Sequence, residues 1–170
     1  APGGKSAWLG RVVGPNGLVI SCDTRPARLT VLRDTLRREG LLPRVARIDA
    51  ARPLPFGPVF DRVLLDAPCS GLGTIARDPD VKWNRDEAAL TRFAITQRAM
   101  IAAAAEAVAP GGRLIYATCS SEPEENQAIV DEFLATAPAF TRASDDMSTR
   151  PDRDGLDAFF AAALVRRETA

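Results

Sequence analysis

The sequence predicts an α/β fold, a doubly wound and mostly parallel sheet with helices on both faces. Three observations predict it. Short apolar runs bounded by turn formers, at residues 18–22, 44–48, 63–65 and 113–118, alternate with longer stretches in which apolar side chains recur every three or four residues. The runs lead into residues suited to chemistry, Asp23, Asp49, Asp66 and Cys119, and the carboxyl ends of parallel strands share the edge where open α/β sheets bind ligands. The chain opens on a glycine-rich loop, Ala1-Pro2-Gly3-Gly4-Lys5-Ser6. Such a loop normally follows a strand, and none precedes it, so the expected sheet lacks its first strand.

The first helix follows at once, with Trp8, Leu9, Val12 and Val13 as its apolar positions. Gly14-Pro15-Asn16-Gly17 is a turn, and the run ending at Asp23 is a strand in which Cys22 reads as core, because free cysteine is among the most buried residue types. Thr24 is the expected N-cap and Pro26 a first-turn residue of a helix with Leu29, Leu32 and Leu36 on one face, closed by Gly40. The strand ending at Asp49 precedes a proline-rich connection at residues 53–58. Val63-Leu64-Leu65, too brief for a helix, reads as a strand buried on both faces. A polar loop with Arg77, Lys82 and Trp83 leads to Asn84 and Glu87, which resemble a capping box opening a long helix with Leu90, Phe93, Met100, Ala104 and Val108 inward. Pro110-Gly111-Gly112 stops that helix, and residues 113–118 are a strand. Ser121 with Glu124 caps the helix carrying Ile129, Val130, Phe133 and Leu134. A weak strand near Phe140 and a stronger one at residues 158–165 form an antiparallel closing pair.

All 170 residues fit one domain. Lysine plus arginine and aspartate plus glutamate are 22 each, and there is no polybasic tail, so any contact with nucleic acid is local. Three cysteines without C-x-x-C spacing, and no histidine, argue against a disulfide framework and an ordinary zinc site, and fit a reducing cytoplasm. No apolar run approaches the ~20 residues of a membrane span, and no signal peptide is evident.

The centre of the sequence is residues 60–73, where Asp66 at a strand end is followed by Ala67-Pro68-Cys69-Ser70-Gly71. One reading is a turn with a small buried cysteine; the other is a site loop that passes close to a ligand. Three acids at successive strand ends, beside a glycine loop, favour a ligand. Asp23 lies about 18 residues beyond that loop, where an acid can accept hydrogen bonds from ribose hydroxyls. Lys5 and the loop amides could hold a carboxylate or a phosphate. Gly4-Lys5-Ser6 also matches the end of a P-loop, so a nucleotide hydrolase is a competing reading, although it has no use for two cysteine loops.

These residues resemble the S-adenosylmethionine-dependent RNA cytosine-5 methyltransferases of the Fmu/Sun type. Ala1-Pro2-Gly3-Gly4-Lys5-Ser6 is similar to their cofactor loop, Asp66-Ala67-Pro68-Cys69-Ser70-Gly71 to their first cysteine motif, and Thr118-Cys119-Ser120 with Glu125-Asn126 to their second. Residues 79–83 and 157–161 are similar as well, so the resemblance spans nearly the whole chain. It implies a class I, Rossmann-like methyltransferase domain, truncated at its N-terminus, without its first strand or an RNA-binding region. The missing strand would lie between those ending at Asp23 and Asp66. Ala158 stands where the family has glycine. By the same resemblance Ala1, Pro2, Gly3, Gly4, Lys5, Asp23, Arg28, Asp49 and Asp66 hold S-adenosylmethionine, Cys119 is the nucleophile and Cys69 assists product release. The implied partner is RNA, ribosomal RNA above all, with no metal and a monomeric intact protein.

The chemistry explains why two thiols are useful. Carbon 5 of cytosine is a poor nucleophile until a thiolate adds to carbon 6. Asp66 is the candidate donor to ring nitrogen 3, and Cys69 the candidate for removing the carbon 5 proton, directly or through water. Arg77 and Lys82 are candidate RNA contacts and Trp83 could stack a base, against the alternative of a solvated loop with one anchoring aromatic. A non-catalytic methyltransferase-like scaffold is the remaining alternative, and it has no requirement for both thiols.

Overall fold

The structure is a computed structural model that describes residues 3–80 and 87–168. Its contacts cluster into two compact units, residues 1–49 and 50–170.

The first unit contains α1 (Gly4–Val13), β1 (Ser21–Asp23), α2 (Pro26–Arg38) and β2 (Val45–Arg47). β1 and β2 pair in parallel, with Cys22 opposite Ala46 and Asp23 opposite Arg47. Leu29, Leu32 and Leu36 of α2 are buried as expected, and they cluster with Ala7, Leu41 and Val45. α2 ends where Gly40, at φ 70°, lets the chain reverse: the Gly40 N–H donates to the Arg37 carbonyl at 3.0 Å and the Leu41 N–H to the Leu36 carbonyl at 2.9 Å. This is a Schellman motif, completed by the apolar contact of Leu41 with the leucine cluster.

Three expectations change in this unit. The residue before Pro26 that caps α2 is Arg25, without a side-chain cap, and its N–H donates to Asp23 Oδ1 at 2.7 Å; Thr24 does not cap. The apolar positions of α1 are not its buried face, since Trp8 is 63% exposed while Ala7 is buried. The reason is spacing: Gly3, Ala7 and Gly10 share a face, and a Cβ on Gly3 or Gly10 would stand 2.8 Å from Thr35 or 2.9 Å from Leu41. The small residues let α1 approach α2, and the large ones point elsewhere. Cys22 is exposed and not core, because Ser21 turns inward to bond Ser6 Oγ at 2.9 Å and the strand period of two sends its neighbour outward.

The second unit contains β3 (Phe60–Asp66), α3 (Glu87–Glu106), β4 (Val108–Thr118), α4 (Gln127–Thr136), β5 (Phe140–Arg142), β6 (Met147–Thr149), the short α5 (Pro151–Asp154) and β7 (Phe159–Arg166). Its sheet runs β3-β4-β7-β5, with β6 also on β7; β3 and β4 are parallel, and β7 is antiparallel to its three partners. The antiparallel closing pair is therefore present, joined by an unexpected third strand. α3 and α4 cover the sheet, with Ile101, Ala104, Val108, Leu114, Tyr116, Ile129, Val130, Phe160 and Leu164 in one core.

Among the described residues the strands pair into a two-stranded and a five-stranded sheet, and β1 and β3 each pair on a single side. Leu64 is accordingly 37% exposed and β3 is an edge strand, whereas the sequence predicted burial on both faces. α3 stops at Glu106, ahead of Pro110, and β4 already begins at Val108: Phe60 pairs with Val108 and Arg62 with Arg113, so residues 109–112 bulge out of the ladder. Among the expected inward positions of α3, Leu90, Phe93 and Met100 are only half-buried. Asn84 lies outside the described residues. The Ser121 and Glu124 box does not form: Ser121 Oγ donates to Glu122 Oε1 at 2.8 Å, and α4 starts after Asn126 with no side-chain cap.

Candidate active site

β3 and β4 are parallel with Asp66 opposite Ala117, so the two cysteine loops leave the sheet side by side at its carboxyl edge. The Ala67 N–H donates to the Ala117 carbonyl at 2.9 Å and continues the pairing one step beyond the strand. Two residues later the thiols meet: Cys69 Sγ and Cys119 Sγ are 3.0 Å apart, and the Cys119 N–H donates to Cys69 Sγ at 3.3 Å. Both side chains are half-buried and neither is in a disulfide.

Gly73 fixes the far end of the first loop. Its N–H donates to the Cys119 carbonyl at 3.1 Å, and its carbonyl accepts from the Ala158 N–H at 2.9 Å. A Cβ there would stand 2.2 Å from the Ala158 oxygen and 2.8 Å from the Cys119 oxygen, so only glycine fits between these two strand ends.

Beneath the thiols lies a buried polar network. Glu125, 0% exposed, accepts from the Ser70 N–H at 2.8 Å, Ser70 Oγ at 2.6 Å, Ser120 Oγ at 2.5 Å and Gln97 Nε2 at 3.1 Å. Gln97 Nε2 also donates to the Pro68 carbonyl at 2.9 Å, and Tyr116 OH donates to the Glu125 carbonyl at 2.6 Å. Thr118 Oγ1 donates to Asn126 Oδ1 at 2.5 Å, while Asn126 Nδ2 donates to the Ser120 carbonyl at 2.9 Å. Ser70 of the first motif is therefore held by a carboxylate 55 residues away, and Thr118 and Ser120 of the second by Glu125 and Asn126, five to eight residues on.

The pair titrates as a unit, since two thiolates at this separation repel. The hydrogen bond to Cys119, then burial, then the charge of Cys119 hold the Cys69 thiol protonated far above the usual range. Burial and the nearby Glu125 and Cys69 charges raise Tyr116 likewise. One thiol as a donor to a neighbouring thiolate is an arrangement that can attack an electrophilic carbon and keep a second proton carrier beside it.

Residues 1–165 match the family described as 16S rRNA methyltransferase RsmB/F. The chain belongs to that family. Ribosomal RNA small subunit methyltransferase B of Klebsiella pneumoniae (strain 342) is 38% identical over 98% of this chain and 40% of its own length. Its counterpart from Vibrio vulnificus (strain YJ016) is 39% identical over 98% of this chain and 41% of its own. Among solved structures, NSun6 from Pyrococcus horikoshii, determined with SFG, superposes with a TM-score of 0.87 at 26% identity, over 99% of this chain and 46% of its own. A methyltransferase homolog protein from Pyrococcus horikoshii gives 0.83 at 26% identity, over 98% and 59%. The chain thus spans about 40% of the length of the curated relatives it matches. RsmB/F membership sets it among methyltransferases and not among the P-loop hydrolases that Gly4-Lys5-Ser6 also suggested.

Within this RsmB/F chain, the structure joins Cys69 and Cys119 and leaves Asp66 exposed at the end of β3, on the edge from which both loops leave. In the first unit Asp23 ends β1 with Arg28 Nη1 3.8 Å from its Oδ2, and Asp49 follows β2. Gly3, at φ 109°, precedes α1, whose first turn carries Gly4 and Lys5 and has no side-chain cap. Arg77 is ion-paired with the buried Asp157 at 2.7 Å. Ala1, Pro2, Lys82 and Trp83 lie outside the described residues. No helix among the described residues is long and apolar enough to cross a membrane. Sequence reading placed Ser70, Ser120 and Glu125 within the two cysteine motifs without giving them a task, and did not single out Gln97. A signal existed for Gln97: it sits in the helical register of Ala94, Ile101 and Ala104, a polar residue in a buried stripe.

Proposed function

We propose that this chain is the catalytic part of an S-adenosylmethionine-dependent enzyme that methylates carbon 5 of a cytosine in RNA, in the first instance small-subunit ribosomal RNA, through a covalent cysteine–cytosine intermediate. The observation that carries the reading is the Cys69–Cys119 pair at 3.0 Å on the carboxyl edge of a parallel strand pair. The scaffold alternative gives no reason for two unbridged, half-buried thiols within reach of one another. The setting is the cytoplasm, and the intact protein acts as a monomer.

The first unit suits a ligand that carries both a carboxylate and a diol. The start of α1, without a side-chain cap and with Gly3, Gly4 and Lys5, offers amides and a cation to a carboxylate, and Asp23 offers a fixed carboxylate to two hydroxyls, with Arg28 beside it and Asp49 just beyond the paired strand β2. We assign S-adenosylmethionine to these residues, with Ala1 and Pro2 completing the loop; bound, it supplies an electrophilic methyl group.

In the second unit Cys119, as thiolate, adds to carbon 6 of the base while Asp66 donates toward ring nitrogen 3, and the pyrimidine becomes an enamine. Carbon 5 takes the methyl. Cys69 stays protonated while Cys119 carries the charge; once the Cys119 sulfur is bonded to carbon, the main cause holding the Cys69 proton is gone. Cys69 can then release that proton and accept the one on carbon 5, after which the Cys119 thiolate leaves and the ring regains its double bond. Arg77 and, beyond the described residues, Lys82 and Trp83 are the proposed RNA contacts.

In the full-length protein with ribosomal RNA and cofactor, Cys69→Ala should accumulate a protein–RNA adduct that survives denaturing electrophoresis, and Cys119→Ala none. An adduct formed only when Cys119 is removed would exchange the two roles. No adduct and no methylation by any form would leave the scaffold reading.

A further inference from the structure

The two cysteine loops belong to different strands; beyond the strand ladder they are tied by the Gly73 N–H on the Cys119 carbonyl, by the Ser70 and Ser120 hydroxyls at 3.2 Å, and by one carboxylate that reaches the residue after each cysteine. Glu125 Oε1 holds the Ser70 N–H and Gln97 Nε2, and Glu125 Oε2 holds both Ser70 Oγ and Ser120 Oγ. Ser70 follows Cys69 directly and Ser120 follows Cys119, so each reactive residue is one peptide unit from a bond to the same carboxylate. Gln97 extends the tie to the Pro68 carbonyl, on the other side of Cys69. The carboxylate touches neither sulfur in these bonds and is fully buried, so its effect on chemistry passes through the loops.

We propose that Glu125 is the positioning residue that sets the separation of the Cys69 and Cys119 thiols. Four donors converge on two oxygens and span both loops at once, so shortening or deleting the side chain loosens the residue after each cysteine while the ladder and the Gly73 bond hold the rest of the loops, whereas an isosteric acceptor keeps the spacing. Glutamine is such an acceptor: its oxygen can take the Ser70 N–H and Gln97 Nε2, and its NH₂ can face the two serine hydroxyls, which rotate to accept. Aspartate keeps the charge but loses the reach. The expected order of rescue is therefore Gln above Asp, which a role based on charge alone reverses. The catalytic consequence rests on the methyl-transfer reading above; the thiol separation does not.

The separation can be read without any turnover. In the full-length protein carrying Cys22→Ser, diamide takes two electrons and two protons from the thiol pair, becoming its hydrazine and leaving a Cys69–Cys119 disulfide that mass spectrometry detects as a loss of two hydrogens. The parent forms this bond readily; Glu125→Ala, and Glu125→Asp should the alanine variant not fold, should form it at least about tenfold more slowly, and Glu125→Gln within about threefold of the parent. With ribosomal RNA and S-adenosylmethionine, the slow variants should lose kcat while cofactor affinity stays, and Glu125→Gln should recover it. Oxidation of folded Glu125→Ala or Glu125→Asp at the parent rate, or Glu125→Gln as slow as Glu125→Asp, overturns the proposal. If the oxidation rates follow the expected order but not even the parent methylates RNA, the positioning role stands and the methyl-transfer reading falls.

Discussion

The strand end at Asp23 and the strand ends at Asp66 and Cys119 are built in opposite ways. Asp23 is held by what lies next to it in the chain: the N–H of Arg25, two residues on, at 2.7 Å and the guanidinium of Arg28, within the following helix, at 3.8 Å. The first cysteine loop is held from afar, by Glu125, 55 residues beyond Ser70, by Gln97, and by the second loop across 50 residues, although the second loop meets the same Glu125 only five residues beyond Ser120. A ligand-binding turn can be local because it needs only backbone amides and one acid in register. A pair of thiols on different strands cannot, because its geometry is a distance between two loops.

The largest effect we expect tests the distant construction. Gly73→Ala should destabilise the chain by about 3 kcal/mol, the upper end of overpacking costs, since its Cβ would stand 2.2 Å from a backbone oxygen that has no free end to swing aside. Gly4→Ala, where a Cβ meets nothing within 4 Å at a helical position, should instead stabilise by up to about 1 kcal/mol. Urea unfolding of both variants compares them, and equal effects would erase the contrast.

Next comes the local site. Asp23→Ala should lower S-adenosylmethionine affinity by about 1.5 to 3 kcal/mol, the worth of charge-assisted hydroxyl contacts. Its effect on stability should stay below about 1 kcal/mol, because the Arg25 N–H it caps is exposed to water. Calorimetry of the full-length protein reads the first quantity; unchanged affinity removes Asp23 from the proposed cofactor site.

The same contrast governs what the sequence disclosed. The Pro26 start, the leucine face and the Gly40 stop of α2 are all short-range signals and all hold. The two cysteine motifs were legible as motifs, and even their meeting follows from parallel strands that end on one edge. What stayed hidden was the contact: Glu125 was legible as part of the second cysteine motif, but nothing in the sequence says that its carboxylate reaches Ser70, 55 residues earlier, in the first. Hydrophobic periodicity also misjudged α1, where Gly3, Ala7 and Gly10 make the contact and Trp8 does not. Cys22 misled for a related reason, because in a three-residue strand the choice of inward side is made by Ser21 and its bond to Ser6.

Tyr116 lets pH probe the buried network. Tyr116→Phe should cost about 1 to 2 kcal/mol by leaving the Glu125 carbonyl without its donor. Cys69 and Tyr116 both have folded pKa values raised above the unfolded ones, so folding favours their neutral forms. That contribution is complete below the unfolded values, about 8.5 for cysteine and about 10 for tyrosine. It is lost as pH climbs past them toward the folded values, so stability should fall on the alkaline side in two stages. Cys69→Ala should shrink the first stage, which Cys22, raised by desolvation, shares, and Tyr116→Phe should remove the second, in unfolding curves taken across that range.

The smallest effect separates two accounts of how α2 begins. If Thr24 capped the helix, as its place before Pro26 suggests, Thr24→Ala would cost about 1 kcal/mol. In the structure the cap position belongs to Arg25, whose N–H is bonded by Asp23, and Thr24 contributes only its carbonyl, which accepts from Arg47 Nε at 3.1 Å and survives the substitution. Thr24→Ala should therefore change stability by less than about 0.5 kcal/mol, as at an ordinary surface position. Asp23→Ala should cost more than Thr24→Ala in the same urea titration, although threonine is the residue one place nearer the helix. The reverse order would mean that the start of α2 is held by the threonine hydroxyl, and that Asp23 is released from the structural task which the contrast between local and distant construction gives it.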